Sequence, residues 1–357
     1  MNHRIACVIK NMESMGLTQL LVSDPMSIRY LTGVYVEPFE RLYAFLIRTD
    51  GEHTFFLNHL FSVAETGYNE VRFSDMDDQI ALLAAHIQKG KLGIDKTFTA
   101  RFLIPLMERT GITPILASQA VDDCRAIKDD EEQELMREAS RINDRVITQA
   151  FNAAKAGMTE KELADFIDKT FLAEGASGPS FPTIVSVGAN AADPHHEPDD
   201  TTIKDGECVL IDMGCVYKGY CSDMTRTFVI GQPADPEFTK VHDLVRQANE
   251  KAEAIIRPGI PLSTIDAAAR DFLAENGYEK EFNHRLGHFI GQTDHEQGDV
   301  SATNEALTVP GMVFSIEPGI YLPGRFGVRI EDLVIVTADG CEILNHVEKK
   351  LQTIAHC

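Results

Sequence analysis

Two stretches, GECVLIDMG at residues 206–214 and GMVFSIEPG at residues 311–319, share one pattern and decide the fold. In each stretch a glycine precedes an apolar run that is typical of a buried strand. The run ends in a carboxylate, Asp212 in the first copy and Glu317 in the second. An acid at the same place in two copies predicts that the two strands have equivalent positions in a duplicated domain.

The segments before these strands match as well. AGM at residues 156–158 and PGI at residues 258–260 each precede a predicted helix that ends in FLAE with a glycine close behind. Matched segments in the same order predict one domain over residues 127–357, built from two halves related by a pseudo-two-fold repeat. We expect a pair of helices and a pair of strands in each half.

Residues 1–126 have a different pattern, in which helical and strand signals alternate. This mixture predicts a smaller α/β domain. It contains no nucleophile motif, glycine-rich phosphate loop or cluster of metal ligands, so it is expected to be a scaffold or a dimerisation unit. The predicted helix covers residues 4–15, and the predicted strands cover residues 19–22, 41–48, 54–57 and 91–95.

The second domain is expected to begin with a long helix. The acidic cluster at residues 128–132 suits a helix N-terminus, because acids are favoured at the positive end of the helix dipole. Gly157 is expected to end this helix. Thr159 and Glu162 then have the spacing of a capping box, which predicts the start of a second helix.

Composition excludes several classes of function. The 33 Lys and Arg residues against 55 Asp and Glu residues give a net charge of −22, which repels nucleic acids. No apolar run approaches the roughly 20 residues of a membrane span, and residues 1–4 lead into no signal-peptide core, so we expect a cytoplasmic protein without a membrane partner. Seven scattered cysteines without a CxxC pair indicate neither a disulfide framework nor a thiolate zinc cluster.

Four carboxylates carry the chemical hypothesis. Asp212 and Glu317 follow apolar strands, Asp223 follows a turn, and Glu331 lies in a predicted strand over residues 328–335. Strand side chains alternate, so Glu331 and its neighbour Asp332 should face opposite ways. A buried carboxylate requires a partner. Two divalent ions would contribute a charge of +4 against the −4 of the four carboxylates.

One histidine is expected to complete such a set. The segment 283–291 contains His284 and His288 among glycines that permit close approach of the backbone. The alternative is that Asp212 is a turn former and that residues 329–332 form a surface strand. The duplication of the acids favours the metal site.

Five motifs then resemble those of a known family. IDMG (211–214), SDMTRT (222–227), HRLGH (284–288), SIEPGIY (315–321) and GVRIEDL (327–333) closely resemble the Xaa-Pro peptidases, prolidase and aminopeptidase P, and above all short bacterial Xaa-Pro dipeptidases. The resemblance spans nearly the whole chain. It implies an α+β protein with a pita-bread catalytic domain, preceded by a smaller α/β domain of the creatinase/prolidase N-terminal, ribonuclease-H-like type.

The resemblance also implies a set of metal ligands. Two divalent ions per subunit are expected, with Mn²⁺ preferred and Co²⁺ or Zn²⁺ as alternatives, because carboxylates with one imidazole suit all three. The implied ligands are Asp212, Asp223, His288, Glu317 and Glu331.

Further residues receive roles through the same resemblance. Glu317 is expected to carry the proton from the attacking water to the leaving nitrogen, while His195 and His295 stabilise the tetrahedral intermediate. The residues expected to bind substrate in the catalytic domain are His284, Arg285 and Arg329. Among them, Arg285 suits a substrate carboxylate, and Arg329 lies in sequence beside Glu331 and is expected to support it. His196 is interpreted as structural.

A loop of the first domain completes the expected site. In the prolidase branch this loop enters the pocket of the partner subunit, which implies a homodimer. The stretch GVYVEPFER at residues 33–41 stands where short bacterial prolidases resemble DPHER, so Glu37 replaces an aspartate, Phe39 replaces a histidine, and Arg41 is kept. The loss of that imidazole bears on dipeptide selectivity.

The expected activity is hydrolysis of Xaa-Pro dipeptides or short peptides. The nearest alternative is an aminopeptidase P, which shares all metal ligands and acts on longer peptides. A methionine aminopeptidase lacks the first domain, and creatinase-like enzymes lack the metal set. A non-catalytic pita-bread module that binds peptides is the alternative of another class, and the complete set of five ligands argues against it.

Overall fold

The computed structural model describes residues 2–354, and the chain divides into two compact units between Arg125 and Ala126. The amino-terminal unit is a mixed α/β unit, as the sequence predicts. Its elements are α1 (His3–Ser14), β1 (Gln19–Val22), α2 (Pro25–Thr32), β2 (Ala44–Arg48), β3 (Thr54–Asn58), β4 (Asn69–Phe73), α3 (Gln79–His86), β5 (Leu92–Ile94), α4 (Ala100–Thr110), β6 (Ile115–Leu116) and α5 (Gln119–Ala126).

One six-stranded sheet organises this unit, in the order β4-β3-β2-β1-β5-β6. The central strand β1 is antiparallel to β2 and parallel to β5. β1 is buried on both faces, which is why its four residues are almost continuously apolar. The strand predicted over residues 41–48 begins only at Ala44, because residues 33–41 form an irregular loop before it.

A disulfide between Cys7 and Cys124 corrects the expectation of unpaired thiols. The two cysteines are 117 residues apart in the sequence and lie in α1 and α5. Their pairing depends on the packing of the first helix near the last helix of the unit, and their spacing gives no sign of it. Cys208, Cys215, Cys221 and Cys341 are unpaired.

The second unit has two halves with matching elements. The first half has α6 (Asp130–Ala153), α7 (Glu160–Ala173), β7 (Ile184–Val187), a 3-10 helix (Gly188–Ala192), β8 (Cys208–Met213), β9 (Val216–Tyr217), β10 (Tyr220–Cys221) and β11 (Met224–Ile230). The second half has α8 (Phe238–Ala254), α9 (Leu262–Glu275), β12 (Gly287–Phe289), β13 (Glu296–Val300), β14 (Val313–Ile316), β15 (Gly319–Leu322), β16 (Phe326–Arg329), β17 (Asp332–Val336), β18 (Cys341–Ile343) and β19 (Thr353–Ile354).

Three antiparallel strands form the centre of each half, one more than the predicted pair. They are β7, β8 and β11 in the first half and β12, β14 and β17 in the second. In both halves two helices precede these strands and pack against them through fully buried apolar residues. The capping boxes at Asp129 and Thr159 start α6 and α7, and the second confirms the sequence pattern.

The predicted strand over residues 328–335 is interrupted. β16 ends at Arg329 and β17 begins at Asp332, because the Glu331 N–H donates to the Thr225 carbonyl of β11. The two acids nevertheless face opposite ways. Glu331 lines a cavity, and Asp332 binds Arg226 and Lys349 at 2.7 and 2.6 Å.

Residues 349–354 are tied to the same region. β19 pairs with β11 in parallel, and Lys349 also binds the buried Glu253. No helix within residues 2–354 is both long and apolar enough to cross a membrane.

Candidate metal centre and active site

Each half brings its two acids to the ends of its central strands. Asp212 is the penultimate residue of β8, and Asp223 lies directly before β11. Glu317 directly follows β14, and Glu331 lies between β16 and β17. Together with His288 of β12, these acids line one cavity of about 660 Å³, so all five predicted ligands come together.

Three of the five form a tight cluster. Asp223, His288 and Glu331 each offer a ligand atom within 4.8 Å of the others, and all three are buried. His288 Nε2 lies 3.4 Å from Asp223 Oδ2 and 3.6 Å from Glu317 Oε1. Glu317 thus lies at the edge of the cluster, with its side chain 16% exposed.

Close packing of two strands produces this arrangement. A Cβ on Gly287 would lie 1.9 Å from the Ser315 carbonyl oxygen, so only glycine allows β12 to approach β14 there. Ser315 Oγ accepts a hydrogen bond from the His288 N–H at 3.0 Å and donates one to Glu317 Oε1 at 3.2 Å. This serine therefore fixes a ligand from each strand.

The negative charges of the buried carboxylates in the cluster favour the binding of cations. Burial, with the nearby charges of Asp212, Asp223 and Glu317, raises the pKa of Glu331 well above its usual value. Burial and the charges of Asp212 and Glu317 do the same to the pKa of Asp223. Burial also acts to raise the pKa of Glu317, but His288, His284 and Arg329 outweigh it, and this pKa is lowered.

Unsatisfied atoms show that the residues fit a metal site. Asp212 Oδ1 and Asp223 Oδ1 are buried and have no hydrogen-bond partner among the described residues. Buried carboxylate oxygens without a donor are costly unless a cation binds them. Four carboxylates and one imidazole are a donor set for divalent ions such as Mn²⁺ or Zn²⁺.

Each of the three guanidinium nitrogens of Arg329 donates a hydrogen bond inside the protein. Its Nη2 donates to Asp212 Oδ2 at 2.7 Å, its Nε to Thr225 Oγ1 at 3.1 Å, and its Nη1 to the Tyr321 hydroxyl at 2.9 Å. Thr225 Oγ1 in turn donates to Glu331 Oε2 at 2.7 Å. Arg329 lines the cavity, but its guanidinium supports predicted metal ligands from both halves.

His284 is held at the other end of this network. Its Nε2 lies 3.0 Å from the Tyr321 hydroxyl, and its Nδ1 lies 2.7 Å from the Arg285 carbonyl oxygen. The carbonyl requires the proton on Nδ1, so Nε2 accepts from Tyr321. Burial lowers the pKa of His284 and raises that of Tyr321 to about 12.

His295 and Arg285 form a second pair at the cavity. Arg285 Nη2 donates to His295 Nδ1 at 3.1 Å, and the His295 ring lies against the His288 ring with centroids 3.9 Å apart. Burial, with a smaller effect of the neighbouring His288, lowers the pKa of His295. A neutral His295 whose Nδ1 accepts from Arg285 carries its proton on Nε2, where it can donate to a ligand.

The cavity lining also includes His195 and His196, which behave differently. His195 is exposed, and its N–H donates to Asp193 Oδ1 at 3.0 Å. His196 Nε2 lies 2.7 Å from Oε2 of the fully buried Glu160. Glu160 accepts three more hydrogen bonds, from the N–H groups of Val187 and Asp199 and from the Asn190 side chain.

Glu160, His196 and Asp199 also lie close enough to hold an ion. The four donors occupy both oxygens of Glu160, so a cation there would have to displace a hydrogen bond. This group is therefore a structural anchor for the segment that carries His195.

The predicted capping residues lie in the amino-terminal unit, whereas the cavity lining runs from Phe181 to Glu331. Phe39 is 78% exposed and has a positive φ of 51°, which is uncommon for a bulky residue. The Tyr35 hydroxyl donates to Glu37 at 3.3 Å, and Arg41 binds Asp75 at 3.0 Å. Their expected contact with substrate stays a prediction.

Several residues of the site were not singled out from the sequence. Tyr321 and Thr225 lie within the quoted motifs SIEPGIY and SDMTRT, but their sequence gives no sign that each hydroxyl links Arg329 to another residue of the site. Asp294 lines the cavity beside His295 and had no motif signal of its own. Phe181, Pro182 and Ile184 form an apolar part of the lining that only the folded strand order brings there.

Comparison with known families and structures agrees with this geometry. Metallopeptidase family M24 matches residues 134–338, and the Creatinase/Prolidase N-terminal domain matches residues 4–127. The dipeptidase PepE from Mycobacterium ulcerans is 35% identical over 99% of this chain and 97% of its own, with a TM-score of 0.94. Other solved structures are also similar to this chain, among them a prolidase and an X-Pro aminopeptidase.

The prolidase from Thermococcus sibiricus is 34% identical, with 98% of each chain covered and a TM-score of 0.92. The X-Pro aminopeptidase from Thermotoga maritima is 31% identical, with 97% of this chain and 99% of that chain covered and a TM-score of 0.82. The resemblance and the fold class expected from the sequence are thereby confirmed, including the pita-bread catalytic domain. The chain is a metal-dependent peptidase and belongs to metallopeptidase family M24.

Proposed function

We propose that this enzyme hydrolyses Xaa-Pro dipeptides. The observation that carries the proposal is the cavity in which Asp223, His288 and Glu331 cluster beside an apolar wall of Phe181, Pro182 and Ile184. The likeness to a dipeptidase and to a prolidase over nearly the whole chain supports it. An apolar wall suits the proline ring, which lacks an N–H donor.

The five ligands would hold two divalent ions. When bound, these ions supply Lewis acidity, which activates water and polarises the scissile carbonyl. The chain contributes their arrangement, because Ser315 orients His288 and Glu317, and Arg329 with Thr225 orients Asp212 and Glu331. These contacts keep the ligands in position before a substrate arrives.

Glu317 is the proposed proton carrier. Its lowered pKa keeps it ionised and able to accept a proton from the attacking water. Oε1 accepts from Ser315, and Oε2 has no hydrogen-bond partner among the described residues, which leaves it for the transferred proton. The same oxygen would then donate to the nitrogen of the leaving proline.

His295 and His195 are proposed to stabilise the tetrahedral intermediate. His295 suits this task because Arg285 occupies Nδ1 and leaves the Nε2–H as a donor. His195 is exposed at the cavity on a segment that Glu160 and His196 anchor. The guanidinium of Arg285 keeps donors beyond the one that binds His295, and they suit the carboxylate of the substrate.

The second candidate is an Xaa-Pro aminopeptidase that acts on longer peptides. The likeness to the X-Pro aminopeptidase favours it, and Phe39 stands where the prolidase branch has a histidine. Glu37, Phe39 and Arg41 are proposed to close the cavity of a partner subunit and so to limit substrate length. The exposed position of Phe39 supports a role in contacts with other molecules.

A series of substrate lengths tests the proposal. Ala-Pro, Ala-Pro-Ala and a pentapeptide that begins with Ala-Pro are compared by kcat/KM after reconstitution with Mn²⁺, Co²⁺ or Zn²⁺. We expect the dipeptide to be the best substrate. Fast cleavage of the longer peptides alone would favour the aminopeptidase, and Gly-Ala is the control without proline.

Three further features belong to the same proposal. Mn²⁺ is proposed as the physiological metal, a homodimer as the functional assembly and the cytoplasm as the location. The four unpaired thiols among residues 2–354 favour a reducing compartment, whereas the Cys7–Cys124 disulfide is unusual there. Metal analysis of the purified enzyme, sedimentation and cell fractionation test the three features separately.

A further inference from the structure

Asp294 lies in the loop between β12 and β13, Glu296 is the first residue of β13, and these two acids have opposite surroundings. Glu296 is almost fully buried and forms an ion pair with the buried Lys128 at 3.1 Å, and it accepts a hydrogen bond from the Gln292 N–H at 3.0 Å. Asp294 lies two residues earlier and lines the cavity. Within residues 2–354, no hydrogen bond or ion pair engages the Asp294 carboxylate.

The loop holds Asp294 in a defined place. The Gly291 N–H donates to the Thr293 carbonyl at 3.1 Å, and Thr293 Oγ1 donates to the His295 carbonyl at 3.0 Å. The Lys128–Glu296 ion pair anchors the loop on one side of Asp294, and the stacking of His295 on His288 anchors it on the other. The carboxylate is thus presented to the cavity by a fixed backbone.

Among the described residues, no cation forms an ion pair with Asp294. Arg329 and Arg285 are the two arginines in the cavity lining, and no lysine takes part in it. The guanidinium of Arg329 binds Asp212, and that of Arg285 binds His295. Glu197, from the segment that carries His195, is a second acid in the lining without an ion pair to another described residue.

The Asp294 carboxylate shares the cavity with the acids of the candidate metal centre. A partly buried carboxylate beside a group of metal ligands is unfavourable unless something binds it. In a substrate cavity, the natural partner is a cationic group of the substrate.

A dipeptide offers two such groups, the α-ammonium and the side chain of its first residue. The α-ammonium lies two bonds from the scissile carbonyl and therefore remains beside the reacting centre. Asp294 lies outside the cluster of Asp223, His288 and Glu331, whose ligand atoms lie within 4.8 Å of one another. A lysine or arginine side chain has the length to reach beyond that centre.

We propose that Asp294 selects substrates whose first residue is lysine or arginine. The inference rests on the proposed hydrolysis of Xaa-Pro bonds and adds the class of the first residue to it. The ammonium or guanidinium of that residue forms an ion pair with Asp294, and Glu197 adds negative potential on the segment of His195.

Lys-Pro and norleucine-Pro test this inference, because the two first residues share a four-carbon stem and differ in the charge. We expect kcat/KM for Lys-Pro to exceed that for norleucine-Pro about tenfold in the natural enzyme, the size of a charge-assisted contact. Asp294→Asn should bring this ratio close to one. Asp271→Asn, an exposed acid of α9 outside the cavity lining, should leave the ratio as it is.

Salt provides a measurement that needs no variant. Between about 50 mM and about 500 mM NaCl the ratio should fall several-fold, because screening weakens an accessible ion pair. A ratio near one in the natural enzyme overturns the inference, as does an equal ratio in Asp294→Asn and the natural enzyme. If neither dipeptide is hydrolysed, the proposed function itself fails and the inference falls with it.

Discussion

Asn143 and Asn249 make similar contacts in the two halves of the catalytic unit. Each is a fully buried residue of the first helix of its half, and each side chain donates to a carbonyl at the end of a strand. Asn143 Nδ2 binds the Met213 carbonyl at 3.0 Å, and Asn249 Nδ2 binds the Ile316 carbonyl at 2.8 Å. A buried asparagine of each half thus holds the strand beside Asp212 or Glu317.

Replacing Asn249 with alanine should lower both stability and metal affinity. The change leaves the Ile316 carbonyl without its donor and frees the strand end beside Glu317, at an expected cost of about 2 kcal/mol in the free energy of unfolding. Urea unfolding and a metal titration measure the two effects. Asn276→Ala, at an exposed helix end, is the control, and equal losses in both variants would contradict the assignment.

Arg329→Lys should abolish most activity although it keeps the charge. A lysine cannot bind Asp212, Thr225 and Tyr321 at once, so we expect kcat to fall about 100-fold or more. Steady-state kinetics, circular dichroism and metal analysis together separate a misplaced ligand from a misfolded chain. Arg325→Lys, in the exposed turn between β15 and β16, should keep kcat within about twofold. Near-normal turnover in Arg329→Lys would refute the positioning role.

Metal binding should release protons and strengthen as the pH rises. Without ions, the raised pKa values of Asp223 and Glu331 favour protons on these carboxylates, and an ion can bind only after they leave. Calorimetric titration of the metal-free enzyme with Mn²⁺, in two buffers of different ionisation enthalpy, counts the released protons. Equal heats in both buffers would contradict the prediction.

Stability should fall between about pH 6.5 and about pH 4 because of His242. Burial lowers the pKa of His242 to about 4, and its Nε2 lies 3.0 Å from the Thr227 carbonyl. Between these pH values, His242 therefore binds a proton in the unfolded chain but not in the folded chain. The contribution of His242 to the free energy of unfolding is complete above the pKa of this residue in the unfolded chain. It is lost as the pH falls through the pKa in the folded chain, by about 3 kcal/mol in total.

Unfolding free energies across this pH range check the His242 prediction. His242→Gln should give a shallower dependence on pH, and His346→Gln, an exposed histidine, should keep the natural slope. Identical slopes in His242→Gln and the natural enzyme would mean that other groups cause the loss.

Glu160→Gln should destabilise the catalytic unit by about 3 kcal/mol, because its carboxylate accepts four hydrogen bonds in a fully buried position. The amide would place its own donors against those of His196 and Asp199, and the segment that carries His195 would loosen. We expect kcat to fall more than KM rises. Asp165→Asn, an exposed acid of α7, is the control, and an unchanged melting temperature in Glu160→Gln would contradict the prediction.

The duplicated fold could be predicted because its signals are local. The strand that ends in Asp212 and the one that ends in Glu317 carry the same pattern, and capping residues mark the helix starts. The break between Arg329 and Asp332 could not be predicted, because a hydrogen bond to the distant Thr225 causes it. The Cys7–Cys124 pairing depends on tertiary packing in the same way.

Within the site, the sequence predicts the types of the candidate ligands, but it does not predict the hydrogen bonds that hold them in place. Carboxylates at the ends of buried strands point to a cation on physical grounds alone. Tyr321 and Thr225 act through geometry that no spacing encodes, and Asp294 differs from Glu296 only in what faces it after folding. The predicted role of residues 33–41 in substrate binding stays a prediction, since an exposed loop has few contacts that its sequence could specify.

The tie between residues 349–354 and the strands beside Glu331 has a consequence for synthesis. A ribosome makes Asp212 and Asp223 long before Glu317 and Glu331, and Lys349 and β19 follow these. A nascent chain therefore first exposes half of the acids without their partners. Stable metal binding should wait until β19 has been made, so the ion is selected by the assembled site and not by the partly synthesised chain.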